Sequence, residues 1–247
     1  MMTDNNEGFR EFAVCLKDGL SQRGLPLAPG VADDFWRHFQ MVRKGNSRFN
    51  LTSIVSPRDA AVKHYLDSLL CLQDMDLPAA SKVLDLGSGA GFPGIPLKIW
   101  RPDLKLTLLD SNRKKASFLE EVAREFNFKD VDVLWGRAED LAHLNHIRNG
   151  YYLVVSRAVA PLAVLAEYGL PFCALNGYLV CLKGPNGVSE AEAALRAIHL
   201  LGGKLETVRE YELPFLAHRR TAVIARKLKV TPDLYPRRAG MPAKKPL

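Results

Sequence analysis

Between Val83 and Gly94 the chain reads VLDLGSGAGFPG, a carboxylate at Asp85 followed by glycines at every second position, Gly87, Gly89 and Gly91. Such spacing turns a backbone sharply at the end of a strand and keeps side chains out of a ligand's way. Two frames fit the string. Read from Gly89 it is G-x-G-x-x-G, the fingerprint that holds a pyrophosphate-bearing dinucleotide. Read from Asp85 it is D-x-G-x-G-x-G, with the glycines starting directly after the apolar run KVLDL.

Phase and chemistry favour the second frame. Counted from Gly89, the first glycine comes late, and Pro93 removes a backbone N–H at the helix start, where a pyrophosphate needs donors. S-adenosylmethionine has no pyrophosphate and carries a sulfonium and an ammonium cation. Asp85, on the strand just before the loop, suits that ligand directly or through water. Gly94 then serves the helix start, and Phe92 and Pro93 read as lining the methyl-donor pocket. Asp110, closing the next strand KLTLLD, is placed to accept from ribose hydroxyls in either frame. Its other reading is a cap for the following helix, a job Ser111 or Asn112 can fill, and Ser111 is counted beside Asp110 among the cofactor-binding candidates. After the third strand, GRAED offers Ala138 and Glu139 to an adenine edge, or Glu139 as an ordinary solvated loop acid.

The elements that must hold these residues fall into three zones. Residues 1–76 read as helical: FREFAVCLKDGL sets Phe9, Phe12, Ala13, Leu16 and Leu20 on one face, VADDFWRHFQMVRK does so with Phe35, Phe39 and Val42, and PRDAAVKHYLDSLLCL starts on a proline. In 77–228 short apolar strands alternate with helices, among them PLAVLAEYGLPFCAL and SEAEAALRAIHLLG, which predicts an α/β domain with a parallel sheet covered on both faces. LETVREYEL and RTAVIARK follow each other with only a loop between, so the sheet should end in an antiparallel hairpin. That ending is uncommon in dinucleotide-binding domains and usual in class I methyltransferases. Residues 229–247, with four prolines and five bases against one acid, read as a basic tail rather than an element.

Several strings resemble one family closely: NLTSI, KHYLDSL, VLDLGSGAGFPGIPL, LLDS, GRAED, SRAVAPL, LKG and PRRAGMPAKKPL. They are similar to the bacterial ribosomal RNA small subunit methyltransferase G family, also known as glucose-inhibited division protein B. The resemblance runs from about Asn50 to the last residue, and the first forty residues show little of it. It implies a class I, Rossmann-like fold with a seven-stranded, mostly parallel sheet and N-terminal helices. It also implies S-adenosylmethionine-dependent methylation of guanine N7 at position 527, in the 530 loop of 16S ribosomal RNA. The family's cofactor positions carry over to Gly87, Phe92, the Asp110 strand end, Ala138–Glu139 and Arg157. Arg157 has a plainer reading as a salt bridge at the sheet edge. In KHYLDSL, His64, Asp67 and Ser68 form either an RNA contact or a packing cluster that docks the N-terminal helices. Before the last strand Arg219 matches the family's pattern, while Arg220 stands where a histidine is common, which leaves its role open.

Guanine N7 has a free lone pair, so its methylation needs no general base, and no catalytic residue is expected. The four cysteines, Cys15, Cys71, Cys173 and Cys181, form no C-x-x-C pair and no metal site, and neither Cys173 nor Cys181 has the context of a methyltransferase nucleophile. RNA would be gripped through phosphates. The net charge is +7, and residues 37–64 hold Arg37, Arg43, Lys44, Arg48, Arg58 and Lys63 against Asp59. With the tail's Arg237, Arg238, Lys244 and Lys245 these bases could flank the cofactor mouth. The candidate RNA contacts are Arg48, His64, Lys183, Arg219, Arg237, Arg238 and Lys244, with the tail expected to order only against RNA or the protein body. The start MMTDNNEGFREF is unlike a signal peptide, and no apolar run approaches the ~20 residues of a membrane span. The expectation is a cytoplasmic, membrane-free monomer acting on 16S ribosomal RNA, the small subunit or its precursor. The rival readings are a non-catalytic RNA-binding or ribosome assembly factor on a methyltransferase scaffold, and a nicotinamide-dependent oxidoreductase.

Overall fold

The computed structural model describes residues 2–157, 160–216 and 218–247. The chain opens with α1 (Met2–Ser21), α2 (Val31–Phe49), α3 (Pro57–Ala60), a π-helical segment (Ala61–Leu66) and α4 (Asp67–Leu70). Alternation begins with β1 (Lys82–Leu86), α5 (Gly94–Trp100), β2 (Lys105–Asp110), α6 (Arg113–Glu125), β3 (Val131–Trp135) and α7 (Ala138–Leu141). It continues with β4 (Tyr151–Arg157), α8 (Leu162–Gly169), a 3-10 turn (Leu170–Phe172), β5 (Cys173–Lys183), α9 (Gly187–Ala193) and α10 (Leu195–Leu200). The hairpin β6 (Gly203–Glu212) and β7 (Arg219–Lys227) and the short α11 (Met241–Lys244) complete it.

One sheet holds all seven strands, in the order β3-β2-β1-β4-β5-β7-β6. The first five strands pair in parallel, and β7 runs antiparallel to both β5 and β6, as the alternation and the terminal hairpin predict. The chain leaves β1 first toward β2 and β3 and later toward β4 and β5. That reversal opens a crevice at the C-terminal ends of β1 and β4.

The sheet's two faces carry separate apolar layers. On one, the N-terminal helices bury Phe12, Phe35, Phe39 and Tyr65 completely, with Phe35 and Tyr65 ring centroids 4.8 Å apart. α2 lies close on α6: an ideal Cβ at Gly45 would stand 3.0 Å from the Phe118 ring, so any side chain there would push the helices apart. On the other face α8, the 3-10 turn and α10 pack against the sheet through Leu165, Leu170 and Ile198.

Two helix expectations need correction. PLAVLAEYGLPFCAL is helical only to Gly169; after the 3-10 turn containing Pro171, Cys173 already pairs with Tyr151 as part of β5. SEAEAALRAIHLLG breaks at Ala194, whose amide is shared between the Glu190 and Ala191 carbonyls, giving α9 and α10. The tail is docked rather than free. Thr231 and Tyr235 are buried, and Arg148 donates to the carbonyls of Thr231 at 2.9 Å and Tyr235 at 3.0 Å. Among the described residues no helix is long and apolar enough to cross a membrane. Ala158 and Val159, in SRAVAPL and at the end of the strand read as YYLVVSRA, lie outside the described residues.

Candidate functional site

The glycine loop follows β1 without a gap. Gly87, Gly89 and Gly91 have φ of 76°, 59° and 94°, the left-handed region that L side chains rarely adopt. Those are the three glycines counted from Asp85. Gly94 has an ordinary φ but no room: a Cβ there would sit 2.7 Å from both Asp85 Oδ2 and Leu108 Cδ2. Its amide opens α5 and donates to Asp85 Oδ2 at 2.8 Å. The loop is laced to β2, with the amides of Gly87 and Ser88 donating to the Leu109 carbonyl at 2.8 and 3.0 Å. Asp110 Oδ2 accepts from Gly89 N at 2.9 Å, and Oδ1 from Asn112 N at 2.8 Å. Asn112, not Asp110, caps α6, by accepting from Lys114 N at 2.9 Å.

The loop and the Asp110 strand end form one wall of a cleft of about 490 Å³, lined also by Thr52, His64, Phe92, Ser111, Lys115 and Arg157. A second cleft of about 610 Å³ lies beside it, over the ends of β4 and β5 and the start of β7. Lys63, Asp67, Lys183, Glu190 and Arg220 line it. His64 and Arg157 belong to both clefts and so form their common wall.

That wall is a fixed stack. The His64 ring lies on Phe92 with centroids 4.3 Å apart and 16° between planes, and the Arg157 guanidinium stands 5.0 Å from the centre of the Phe92 ring. Arg157 Nη2 donates to His64 Nδ1 at 3.1 Å, and since a guanidinium has no acceptor, His64 carries its proton on Nε2, which faces Thr52 Oγ1 at 3.0 Å. Burial, then the nearby Arg157 charge, pushes His64 down to about 2, so it is neutral. Behind the wall the buried Asp67 gathers Arg157 at 3.8 Å, Arg220 at 3.5 Å and the Tyr211 hydroxyl at 2.9 Å. Burial lifts the Asp67 carboxyl against the pull of both guanidiniums. This settles geometrically where Arg220 goes: it pairs with Asp67 in the second cleft.

The predicted residues separate accordingly. Gly87, Gly89, Phe92, Asp110, Ser111 and Arg157 meet in the first cleft. Asp85 does not line it: the residue is fully buried, its Oδ2 is engaged by Gly94, and its Oδ1 has no hydrogen-bond partner among the described residues. Burial raises its carboxyl to about 7. Gly91 shapes the turn against Ile95 and His38, and Pro93 caps α5 outside the cleft. Ala138 opens α7, whose first amides have no partner within the helix, but the buried Glu139 side chain turns to the tail, accepting from Gly240 N at 2.9 Å.

Among the predicted bases, Lys63, His64 and Lys183 reach the clefts, although Lys183 is held by Glu190 at 2.7 Å and the Ala160 carbonyl at 2.7 Å. Arg48 pairs with Glu121 at 3.1 Å on the surface, and Arg219, Arg238 and Lys244 are exposed. Arg237 is partly buried and grips the buried Glu167 through Nε at 2.8 Å and Nη2 at 2.6 Å. Burial pushes the thiols of Cys173 and Cys181 up to about 12, so neither offers a thiolate.

Sequence reasoning missed His38, Thr52, Lys115 and Tyr211. Thr52 stood inside the NLTSI string, which was the available signal; His38, on the buried stripe of α2, gave none.

The family described as rRNA small subunit methyltransferase G matches residues 32–220. A ribosomal RNA small subunit methyltransferase G from Desulforamulus reducens is 41% identical over 237 residues, covering 96% of this chain and 99% of its own. One from Deinococcus deserti is 44% identical over 237 residues, covering 96% and 97%. Among solved structures, the YcgJ protein of Bacillus is similar with a TM-score of 0.52 at 12% identity, covering 67% of this chain and all of that one. TrmN from Thermus thermophilus gives 0.51 at 16% identity, covering 66% and 48%. At such identities the structures show the fold alone, which is the class I, Rossmann-like methyltransferase fold. Matched along nearly its whole length by those relatives, the chain belongs to the rRNA small subunit methyltransferase G family.

Proposed function

We propose that the chain transfers a methyl group from S-adenosylmethionine to N7 of a guanine in 16S ribosomal RNA, at position 527. The observation that carries this is the pair of clefts meeting at a wall of Phe92, His64 and Arg157. The first cleft fits the methyl donor: a Cβ at Gly89, where φ is 59°, would find no atom of the described residues nearer than 3.9 Å, so the glycine leaves that wall bare. Each Asp110 oxygen accepts one backbone amide and keeps a lone pair for a ribose hydroxyl. The bound donor supplies an electrophilic methyl carbon on a sulfonium.

The second cleft takes the base. Its walls carry Lys63, Arg157, Lys183 and Arg220, with donors for guanine O6 and phosphate oxygens, and Asp67 and Glu190 leave negative charge beside them. Transfer to N7 would leave the C–S electron pair with sulfur and place positive charge on the base, beside Asp67 and Glu190. No proton departs, so the residues orient the base and tune the potential rather than relay protons. Neutral His64 fits that role, since it adds no cation where one develops. The protein acts as a monomer in the cytoplasm on the small subunit or its precursor.

The test is labelled methyl transfer to small subunits from cells lacking this activity, followed by borohydride–aniline cleavage at 7-methylguanosine. Cleavage after one guanine of the 530 loop is expected; label on any other base overturns the assignment.

A further inference from the structure

Trp135 ends β3, the edge strand, and pairs in register with Asp110 of β2. It remains 56% exposed, a large apolar ring left in water at the rim of the first cleft. Its indole is nevertheless fixed. Nε1–H donates to the carbonyl of Ser111 at 3.2 Å, and Ser111 lines that cleft. With its one donor spent, the ring offers only its π-face. The Arg113 guanidinium lies over it, 5.0 Å from the ring centre. Lys114, next to Arg113 in sequence, and Arg137, two residues after Trp135, are exposed, Lys115 lines the cleft, and neither these three nor Arg113 has an ion-pair partner within 4.0 Å among the described residues. An immobilised aromatic face inside a cluster of unneutralised cations is what a single-stranded nucleic acid takes up, its base stacking while its phosphates meet the bases around it.

We propose that Trp135 and Arg113 form a stacking platform for an unpaired nucleobase of the RNA substrate, outside both clefts, that anchors the strand beside the cofactor cleft. The proposal rests on the RNA-directed reading above. An anionic protein surface would be attracted by the same cations, but the indole's one donor is already engaged, which leaves a flat face that matches the plane of an unpaired base. The platform selects for unpaired bases without reading their identity, because every base has a π-face.

The experiment uses the full chain and a fluorescent single-stranded RNA oligonucleotide, with affinity measured across a range of salt. Trp135→Leu should weaken binding roughly tenfold while Trp135→Phe stays within about threefold, and both should keep the wild-type salt slope. An abasic nucleotide scanned along the oligonucleotide should reveal one position at which Trp135→Leu adds no further loss. The thermal shift given by S-adenosylhomocysteine reports that each variant is folded. Equal affinity of Trp135→Leu and wild type, or additive losses at every abasic position, would overturn the platform. So would a loss seen on whole subunits but not on naked RNA, which would assign the face to a protein. Failure of the wild type to methylate ribosomal RNA would instead strike the proposed function, while a retained stacking signature would leave the platform standing.

Discussion

His38 donates its Nε2 proton to the carbonyl of Ala90, inside the glycine loop, at 3.0 Å. Its Nδ1 accepts the Tyr65 hydroxyl at 2.9 Å, so a side chain of α2 ties the π-helical segment to the loop that shapes the first cleft. The N-terminal helices are therefore part of the support of the first cleft rather than an attachment to it. His38→Ala leaves the Ala90 carbonyl and the Tyr65 hydroxyl buried without partners, at about 1–3 kcal/mol each. We expect urea unfolding to show a loss of several kcal/mol and calorimetry to show weaker S-adenosylhomocysteine binding, with His38→Gln recovering part of both.

The glycine loop was readable because its requirement is local: three left-handed positions in phase with a strand end leave only glycine. Asp110 was readable for the same reason, from its place on β2. What stayed hidden depends on partners distant in the chain. His38 meets Ala90, 52 residues away, and Tyr211 meets Asp67 across 144. Asp85 had the right position and the wrong environment, since nothing local says that Gly94 closes over it. Glu167 did leave a trace. An acid in the otherwise apolar PLAVLAEYGL signals a paired buried charge, but not that its partner is Arg237 in the tail.

Stability should fall on acidification through the two buried imidazoles. Burial holds His38 at about 3 and His64, with Arg157 beside it, at about 2, against 6.5 for the free side chain. Below pH 6.5 the unfolded chain binds protons that the folded one refuses, so each histidine's contribution is complete above pH 6.5 and is lost as pH falls toward its folded value. Each adds up to about 1.4 kcal/mol per pH unit to the slope in that window. Unfolding free energies at pH 4.5, 5.5 and 6.5 should show the slope flattened by up to one proton in His38→Gln; an unchanged slope would mean that the ring is charged in the fold.

Asp85 acts in the opposite sense. Its folded value of about 7 lies above the unfolded one, so its contribution is present in acid and lost as pH rises through 7. Asp85→Asn removes that loss and should be the more stable protein at pH 8.5, by on the order of 1–3 kcal/mol. In the wild type a cation in the neighbouring cleft favours the ionised carboxyl. S-adenosylmethionine should therefore bind more tightly at pH 8 than at pH 6, with proton release, while uncharged-sulfur S-adenosylhomocysteine changes less. Calorimetry in two buffers measures the proton count, and an equal pH dependence for both ligands, or one that persists in Asp85→Asn, would show that Asp85 only anchors the loop.

The bases of the tail divide into two roles that one experiment can separate. Arg237 clasps Glu167, which is 1% exposed, so Arg237→Ala strands a carboxylate in the interior at a cost of about 3–5 kcal/mol. Arg238 and Lys244 are exposed and have no such partner among the described residues, so alanine there should change stability by less than about 0.5 kcal/mol. If these two meet phosphates, each substitution should lower the salt slope of RNA binding by about one and weaken binding to all sequences alike. Arg237→Ala should lower the melting temperature first and affect RNA affinity only through the displaced tail, so Glu167→Gln paired with Arg237→Ala should restore much of the stability. A salt slope reduced by Arg237→Ala in that restored background, and untouched by Arg238→Ala and Lys244→Ala, would reverse the two assignments.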